Sequence, residues 1–129
     1  MYSKIALSIG GSDSGGGAGI QADLRTFMAL KVHGCSVITC ITAQNSLEVT
    51  CVEPVEKNTL LSQLDTLFVD FGIDALKTGM LLNERIVNDD LRDQGQILFC
   101  KNFLKISEQI ILLFVWNQSD QNLEPCNHK

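Results

Sequence analysis

The stretch Ile5–Leu30, "IALSIGGSDSGGGAGIQADLRTFMAL", decides the fold. Ile5 to Ile9 form a short apolar run that stops at glycine, the pattern of a buried strand. Between Gly19 and Lys31, Ile20, Leu24, Phe27 and Met28 fall at i, i+4, i+7 and i+8, one face of a helix. The connection holds Gly10, Gly11, Gly15, Gly16, Gly17 and Gly19. Glycine at this density lets backbone N–H groups approach a ligand unobstructed. A helix starting near Ala18 would also turn free N–H groups back toward the loop. Ser12, Asp13 and Ser14 add donors and acceptors. The plainer reading is a tight strand-to-helix turn in which glycine serves geometry alone.

This loop is not a phosphate-binding P-loop, because no Gly-Lys-Ser/Thr closes it. A dinucleotide fingerprint can be read through Gly17, Gly19 and Ala22. No acid follows about twenty positions on, where one would hold a ribose. A small polar molecule suits the loop better than a phosphate chain.

Outward from this stretch, "CSVITCITA", Cys35–Ala43, is β-branched and apolar on both faces, as expected of one strand covered on both sides by helices. Leu60, Leu64, Leu67, Phe68 and Phe71 again keep helical spacing. "DALKTGM", Asp74–Met80, is a third short strand that meets a glycine, and Asn83 would cap a helix from Glu84. Alternating strands and helices predict an α/β domain with a mostly parallel sheet. Ligands of such sheets bind beyond the carboxyl ends of the strands. The Gly10–Gly19 loop, Thr42–Asn45 and Lys77–Met80 lie at such ends and should converge.

Two polar residues sharpen the site. Asp23 shares a helix face with Ile20 and Phe27, where a carboxylate must be paired or face a ligand; it reads equally as a first-turn acid serving the helix dipole. Gln44 follows a buried strand, and its amide both donates and accepts, as the edge of an amino-substituted heteroaromatic ring requires; a turn residue bonded to backbone is the alternative. Lys77 reads first as a strand-end lysine reaching solvent, and only second as a site group.

The 129 residues suffice for one domain with a core, at 45% hydrophobic and 19% charged. A net charge of −5 argues against a nucleic-acid partner. The five cysteines, Cys35, Cys40, Cys51, Cys100 and Cys126, show no metal or redox spacing and read as reduced thiols. The start lacks a signal-peptide pattern, and "IILLFVW", Ile110–Trp116, is too short to span a membrane. The expectation is a cytoplasmic protein without a membrane partner, in which the sequon at Asn117 has no bearing. From about Asp89 the strand–helix rhythm stops, apart from one apolar segment around Ile106–Trp116.

"ALSIGGSDSGGGAGIQADLRTFMAL", "GCSVITCITAQNS" and "DALKTGML" together resemble the N-terminal part of the hydroxymethylpyrimidine/phosphomethylpyrimidine kinases of thiamine biosynthesis, over about Ile5–Val87. The resemblance implies a partial ribokinase-like three-layer α/β fold. It implies transfer of phosphate from ATP, with Mg²⁺, to 4-amino-5-hydroxymethyl-2-methylpyrimidine and then to its monophosphate. Residues matching the family's pyrimidine pocket are Gly11, Asp23, Gln44 and Met80. Gly11 would give backbone access, Asp23 and Gln44 would read the polar edge and the hydroxymethyl side, and Met80 would wall the ring.

The family's nucleotide and Mg²⁺ motifs, and its Gly-rich anion hole with the catalytic cysteine, are not found after Val87. Neither Cys100 nor Cys126 has the glycine neighbours of that cysteine, so no catalytic residue and no metal ligand is assigned. Residues 1–88 are expected to form the kinase-like part, and residues 89–129 a divergent tail from a frameshift or altered gene end. A non-catalytic pyrimidine-binding fragment, and a relative acting on pyridoxal or pyridoxine, are the alternatives. The sheet edge left by a short chain favours a homo-oligomer.

Overall fold

The computed structural model describes residues 4–82 together with Cys126. Within them the order is β1 (Ile5–Gly10), α1 (Gly19–Ala29), β2 (His33–Ile38), β3 (Cys40–Gln44), β4 (Val49–Pro54), α2 (Lys57–Asp70) and β5 (Ala75–Thr78). A parallel sheet runs β2-β1-β5, and β3 and β4 form a separate antiparallel pair. The helix expected from Glu84 and the apolar segment at 106–116 lie outside the described residues.

The period-two alternation of β1 sorts its side chains between two faces. Leu7 and Ile9 join Cys35 and Val37 of β2 and Leu60 and Leu64 of α2 in one buried cluster with Ile73 and Leu81. Leu60 and Leu64 lie one turn apart, so a single stripe of α2 covers this face; each buried leucine contributes about 1.5–3 kcal/mol. The opposite face carries Ser8 and Gly34 and receives α1, whose Leu24 and Phe27 lie against Gly34. Helices on either face of a parallel sheet are the layered arrangement that the alternating pattern predicts. Met28, assigned to the apolar face of α1 by spacing, is instead 66% exposed, because α1 turns its Ile20–Phe27 edge toward the sheet.

The expected single strand over Cys35–Ala43 is two strands in two sheets. The break falls at Thr39, which is fully buried. Its N–H donates to Gly10 O at 3.0 Å, its carbonyl accepts from Val55 N at 2.9 Å, and its hydroxyl donates to Met80 O at 2.7 Å. These bonds end pairing with β1 and send the chain into β3. Nor is β3 covered on both sides: Cys40 and Thr42 are buried, while Ile41 and Ala43 are exposed. Sequence reading missed the partner strand, β4. Its signals are the "VTCV" run before Pro54 and the Asn45 turn, whose side-chain oxygen accepts from the N–H groups of Leu47 and Glu48. On the outer edge of β2, the Gln63 side chain bonds both the N–H and the carbonyl of Ile38, covering groups that would otherwise be unpaired.

The expectation of reduced thiols holds for Cys35 and Cys40, which are free and buried, but Cys51 is joined to Cys126. A sequence separation of 75 residues hides that pair from any reading of spacing.

Thr39→Val keeps the shape and leaves the Met80 carbonyl without its donor. We expect a loss of about 1–3 kcal/mol in urea unfolding with an unchanged denaturant slope. Unchanged stability would mean that the hydroxyl is not the anchor.

Candidate functional site

β1 lies where the chain's path across the sheet reverses. The first crossover places β2 on one side of it, and β5 pairs on the other. Such a reversal opens a crevice at the carboxyl ends of the strands. A cavity of about 340 Å³ lies there, reached by Gly10–Ser12, by Gln44 and by Lys77–Met80. The three strand-end segments therefore meet around one space. Gly11, Asp23, Gln44 and Met80 all line it, with Ile20 from α1 and Val49 and Val52 from β4. The two valines were not found from sequence because β4 itself was missed.

The glycine loop holds an anion of its own. Asp13 is buried, and its carboxylate accepts from Gly15 N at 2.8 Å and from Ala18 N at 2.7 Å. Burial pushes this carboxyl up, and the N–H groups of Ala18, Gly15, Gly16 and Gly17 more than offset it, holding it below its ordinary value. N–H groups that a bare loop would offer to a ligand are thus turned onto Asp13, which corrects the expectation of free loop donors. The Gln21 side chain accepts from Asp13 N at 2.8 Å and ties the first turn of α1 to the loop. Gly19 has φ +60°, and a Cβ there would lie 2.7 Å from Gly11 O and 3.0 Å from Asp13 N, both backbone atoms.

The other side of the loop is stitched to β3. Ser12 N donates to Cys40 O at 2.9 Å, and the Ser12 hydroxyl accepts from Thr42 N at 3.1 Å. Ser14 Oγ donates to Gln44 O at 2.7 Å and accepts from Gln44 N at 2.8 Å. A register shift between Ala43 and Gln44 re-aims the following side chain, as bulges do. Among the described residues the Gln44 amide has one hydrogen-bonding contact, Thr42 Oγ1 at 3.3 Å, but the single proton of that hydroxyl already serves Ser12 O at 2.7 Å. Its backbone is fixed while its amide keeps hydrogen-bonding capacity for a ligand.

Gly11 forms part of the cavity wall. A Cβ there would come within 2.7 Å of Cys40 Sγ and 2.8 Å of Met80 Cε, so a glycine is what lets Met80 approach. Burial pushes the Cys40 thiol up, and the Thr39 hydroxyl only partly offsets it. At neutral pH Cys40 is therefore a neutral thiol, packed next to Gly11.

Asp23 is the fifth residue of α1, beyond the first turn, so the dipole-serving reading does not hold. Its Oδ2 accepts from Ser8 Oγ at 2.6 Å and from Lys77 Nζ at 2.5 Å. Nor does Lys77 run out to solvent: strand register sets it beside Ser8, and its ammonium lies against the carboxylate. Sequence reading ranked this lysine low because the partner stands 54 residues away.

The family model for phosphomethylpyrimidine kinase matches residues 13–92. The chain belongs to that family. Among curated relatives, a hydroxymethylpyrimidine/phosphomethylpyrimidine kinase of Synechococcus elongatus is 59% identical over 87 residues, covering 67% of this chain and 33% of the relative. One of Rhizobium meliloti is 61% identical over 95 residues, 71% of this chain and 36% of the relative. The chain thus spans about a third of the length of the relatives it matches.

Among solved structures, phosphomethylpyrimidine kinase of Clostridium difficile superposes with TM-score 0.64 at 44% identity, over 69% of this chain and 40% of that one. Pyridoxal kinase of Staphylococcus aureus, in complex with AMP-PCP and pyridoxal, superposes with TM-score 0.62 at 36% identity, over 75% of this chain and 35% of that one. The fold is that of the ribokinase-like vitamin kinases.

Gly19→Ala forces a Cβ onto backbone at a positive φ, and we expect a loss of at least about 1 kcal/mol in urea unfolding, with weaker ligand binding. A second outcome concerns acid. A carboxyl held below its unfolded value stabilises the fold above that value, and the contribution is lost as pH falls through the folded one. Stability to urea should be level between about pH 5 and pH 8 and decline below about pH 3.9. Asp13→Asn should remove part of that decline. Asp74, held low chiefly by the Lys4 ammonium and then by Ile5 N–H, accounts for a further part that added salt weakens. An unchanged acid profile in Asp13→Asn would show that the loop is not held by this carboxylate.

Proposed function

We propose that this chain supplies the pyrimidine-binding part of a hydroxymethylpyrimidine/phosphomethylpyrimidine kinase, whose reaction is ATP-dependent phosphorylation of 4-amino-5-hydroxymethyl-2-methylpyrimidine and of its monophosphate. The carrying observation is the cavity at the ends of β1 and β5, lined together by Gly11, Asp23, Gln44 and Met80. It has an apolar wall of Ile20, Val49, Val52 and Met80 facing a small set of polar groups, as a small heterocycle requires. In this reading the Gln44 amide pairs with the ring's amine and adjacent nitrogen, Met80 packs on the ring face, and Gly11 allows the close approach.

The described residues fit a neutral heterocycle and do not fit ATP with Mg²⁺. The loop N–H groups are turned onto Asp13, and the cavity-lining cation Lys77 is paired with Asp23. No cluster of three or more His, Cys, Asp or Glu side chains able to hold a metal occurs among the described residues. No step of phosphoryl transfer is therefore routed through these groups; that half of the chemistry belongs to the nucleotide side of the family's longer chains. We assign residues 1–88 to the kinase-like part and residues 89–129 to a divergent tail. We place the activity in the cytoplasm, where ATP is available, with a small pyrimidine as partner and with self-association of the chain. Among the described residues no helix is long and apolar enough to cross a membrane.

The test is calorimetric titration with the hydroxymethylpyrimidine, followed by an assay with ATP and Mg²⁺. Binding with turnover supports the kinase, and binding without turnover supports a pyrimidine-binding fragment. Tighter binding of pyridoxal would assign the cavity to a B6 vitamer. Absence of binding would overturn the reading. Gln44→Ala should weaken pyrimidine binding roughly 5- to 50-fold with unchanged stability.

A further inference from the structure

Cys51 lies on β4, the strand whose Val49 and Val52 wall the cavity. Register along the hairpin passes from Ala43↔Cys51 to Gln44↔Val49 and skips Thr50. That irregularity brings Val49 and Val52, three residues apart, to one face, and alternation turns Cys51 to the other. There it stands opposite Ala43, on the face that also carries Ile41 and Glu53, all three of them exposed. Its sulfur is bonded to Cys126, 75 residues on. Both cysteines are half-buried, whereas Cys35 and Cys40 are buried and free, and burial pushes both of those thiols up. A small thiol in solution therefore has access to the Cys51–Cys126 bond and not to the other two sulfurs. Among the described residues β4 has a single strand partner, β3, in a two-stranded sheet. A hairpin by itself is only marginally stable. A covalent bond to a distant part of the chain removes many of the arrangements in which β4 is detached. The bond sits on the face away from the cavity, so it acts on the valine wall without entering the ligand's space.

We propose that Cys51 and Cys126 form a reversible thiol–disulfide switch that sets how firmly β4 holds the cavity's apolar wall. The oxidant is the disulfide form of a small thiol of the glutathione class. One cysteine thiolate attacks that disulfide, forms a mixed disulfide and releases one small thiolate. The second cysteine thiolate attacks the protein sulfur of the mixed disulfide and releases the other small thiolate. The two cysteines lose two electrons and two protons, and the small disulfide gains them as two thiols; reduction runs the same steps in reverse. In a thiol-rich cytoplasm a protein disulfide is usually transient or redox-sensing, which is the class that fits an accessible bond beside two shielded thiols. The core cluster under α2 contains neither Cys51 nor Cys126, so the parallel sheet outlasts reduction. The effect on ligand affinity rests on the reading of this cavity as a pyrimidine site; the effect on β4 does not.

The experiment equilibrates the full chain in glutathione buffers from mostly oxidised to mostly reduced and maps disulfides by peptide mass. The Cys51–Cys126 bond should form and break with the buffer, while Cys35 and Cys40 stay reduced. On reduction, hydrogen exchange at the β4 amides should speed up at least about tenfold, with the β1 amides unchanged. Cys51→Ser should exchange rapidly in both buffers, and Cys126→Ser, which leaves the β4 sequence intact, should do the same. The reduced chain should bind 4-amino-5-hydroxymethyl-2-methylpyrimidine roughly 3- to 10-fold more weakly in calorimetric titration. Three results would overturn the proposal: no such bond in oxidised glutathione, a bond that reduced glutathione leaves intact, or β4 exchange that is the same in both states. So would unfolding of the whole chain on reduction, which makes the bond structural, or ligand affinity indifferent to the redox state. If neither state binds the pyrimidine, the proposed function fails and β4 exchange alone decides the switch.

Discussion

The carboxylate of Asp13 is the point on which the site is built. The chain must leave β1, pass the mouth of the sheet and enter α1, and a glycine-rich path has a high entropic cost of ordering. An internal anion that accepts from Gly15 and Ala18 gives those backbone groups partners without any ligand. The loop is thus preorganised. The serines on either side of Asp13 pair with alternate residues of β3, so the same turn also brings Gln44 to the cavity. An external phosphate would have to compete with a carboxylate already in place for the N–H groups of Gly15 and Ala18.

The two faces of the parallel sheet divide the work. The face under α2 is apolar and closed, and its burial carries much of the stability. The face under α1 bears Ser8, Gly34 and, on β5, Lys77, and is polar where the strands approach the cavity. One strand, β1, serves both because successive side chains point in opposite directions. Polar groups buried on the second face are acceptable because Asp23 is met by both Ser8 and Lys77.

Thr39 joins the sheet to the hairpin and thereby shapes the cavity's third side. By holding Gly10, Val55 and Met80 at once, it closes β2 against the core and starts β3 on a new path. Val49 and Val52 then face the cavity from β4. The apolar wall opposite the polar groups therefore rests on this buried threonine together with the Asn45 turn that brings the chain back as β4.

The strand Ile5–Ile9, the helix after the glycine loop, the apolar stripe of α2 and the short strand before Met80 were legible in the sequence, because each rests on local periodicity and on where glycine interrupts it. The meeting of the ends of β1 and β5 was legible for the same reason, since in a parallel sheet the strand ends lie together, whereas Gln44 reaches the cavity from β3 of the separate hairpin. The division of Cys35–Ala43 was not, since Thr39 is one more β-branched residue in a β-branched run and its bonds come from residues distant in the chain. The pairing of Lys77 with Asp23 was hidden as well, because register across β1 and β5 and the height of α1 over the sheet bring them together. The link between Cys51 and Cys126 was beyond reach of spacing. Sequence by itself determined which segments are strands and helices and which loops flank the cavity, through short-range pattern. Only the tertiary structure decided which polar groups neutralise one another and which remain open to a ligand, because hydrogen bonds and ion pairs depend on distances between elements that no local pattern encodes.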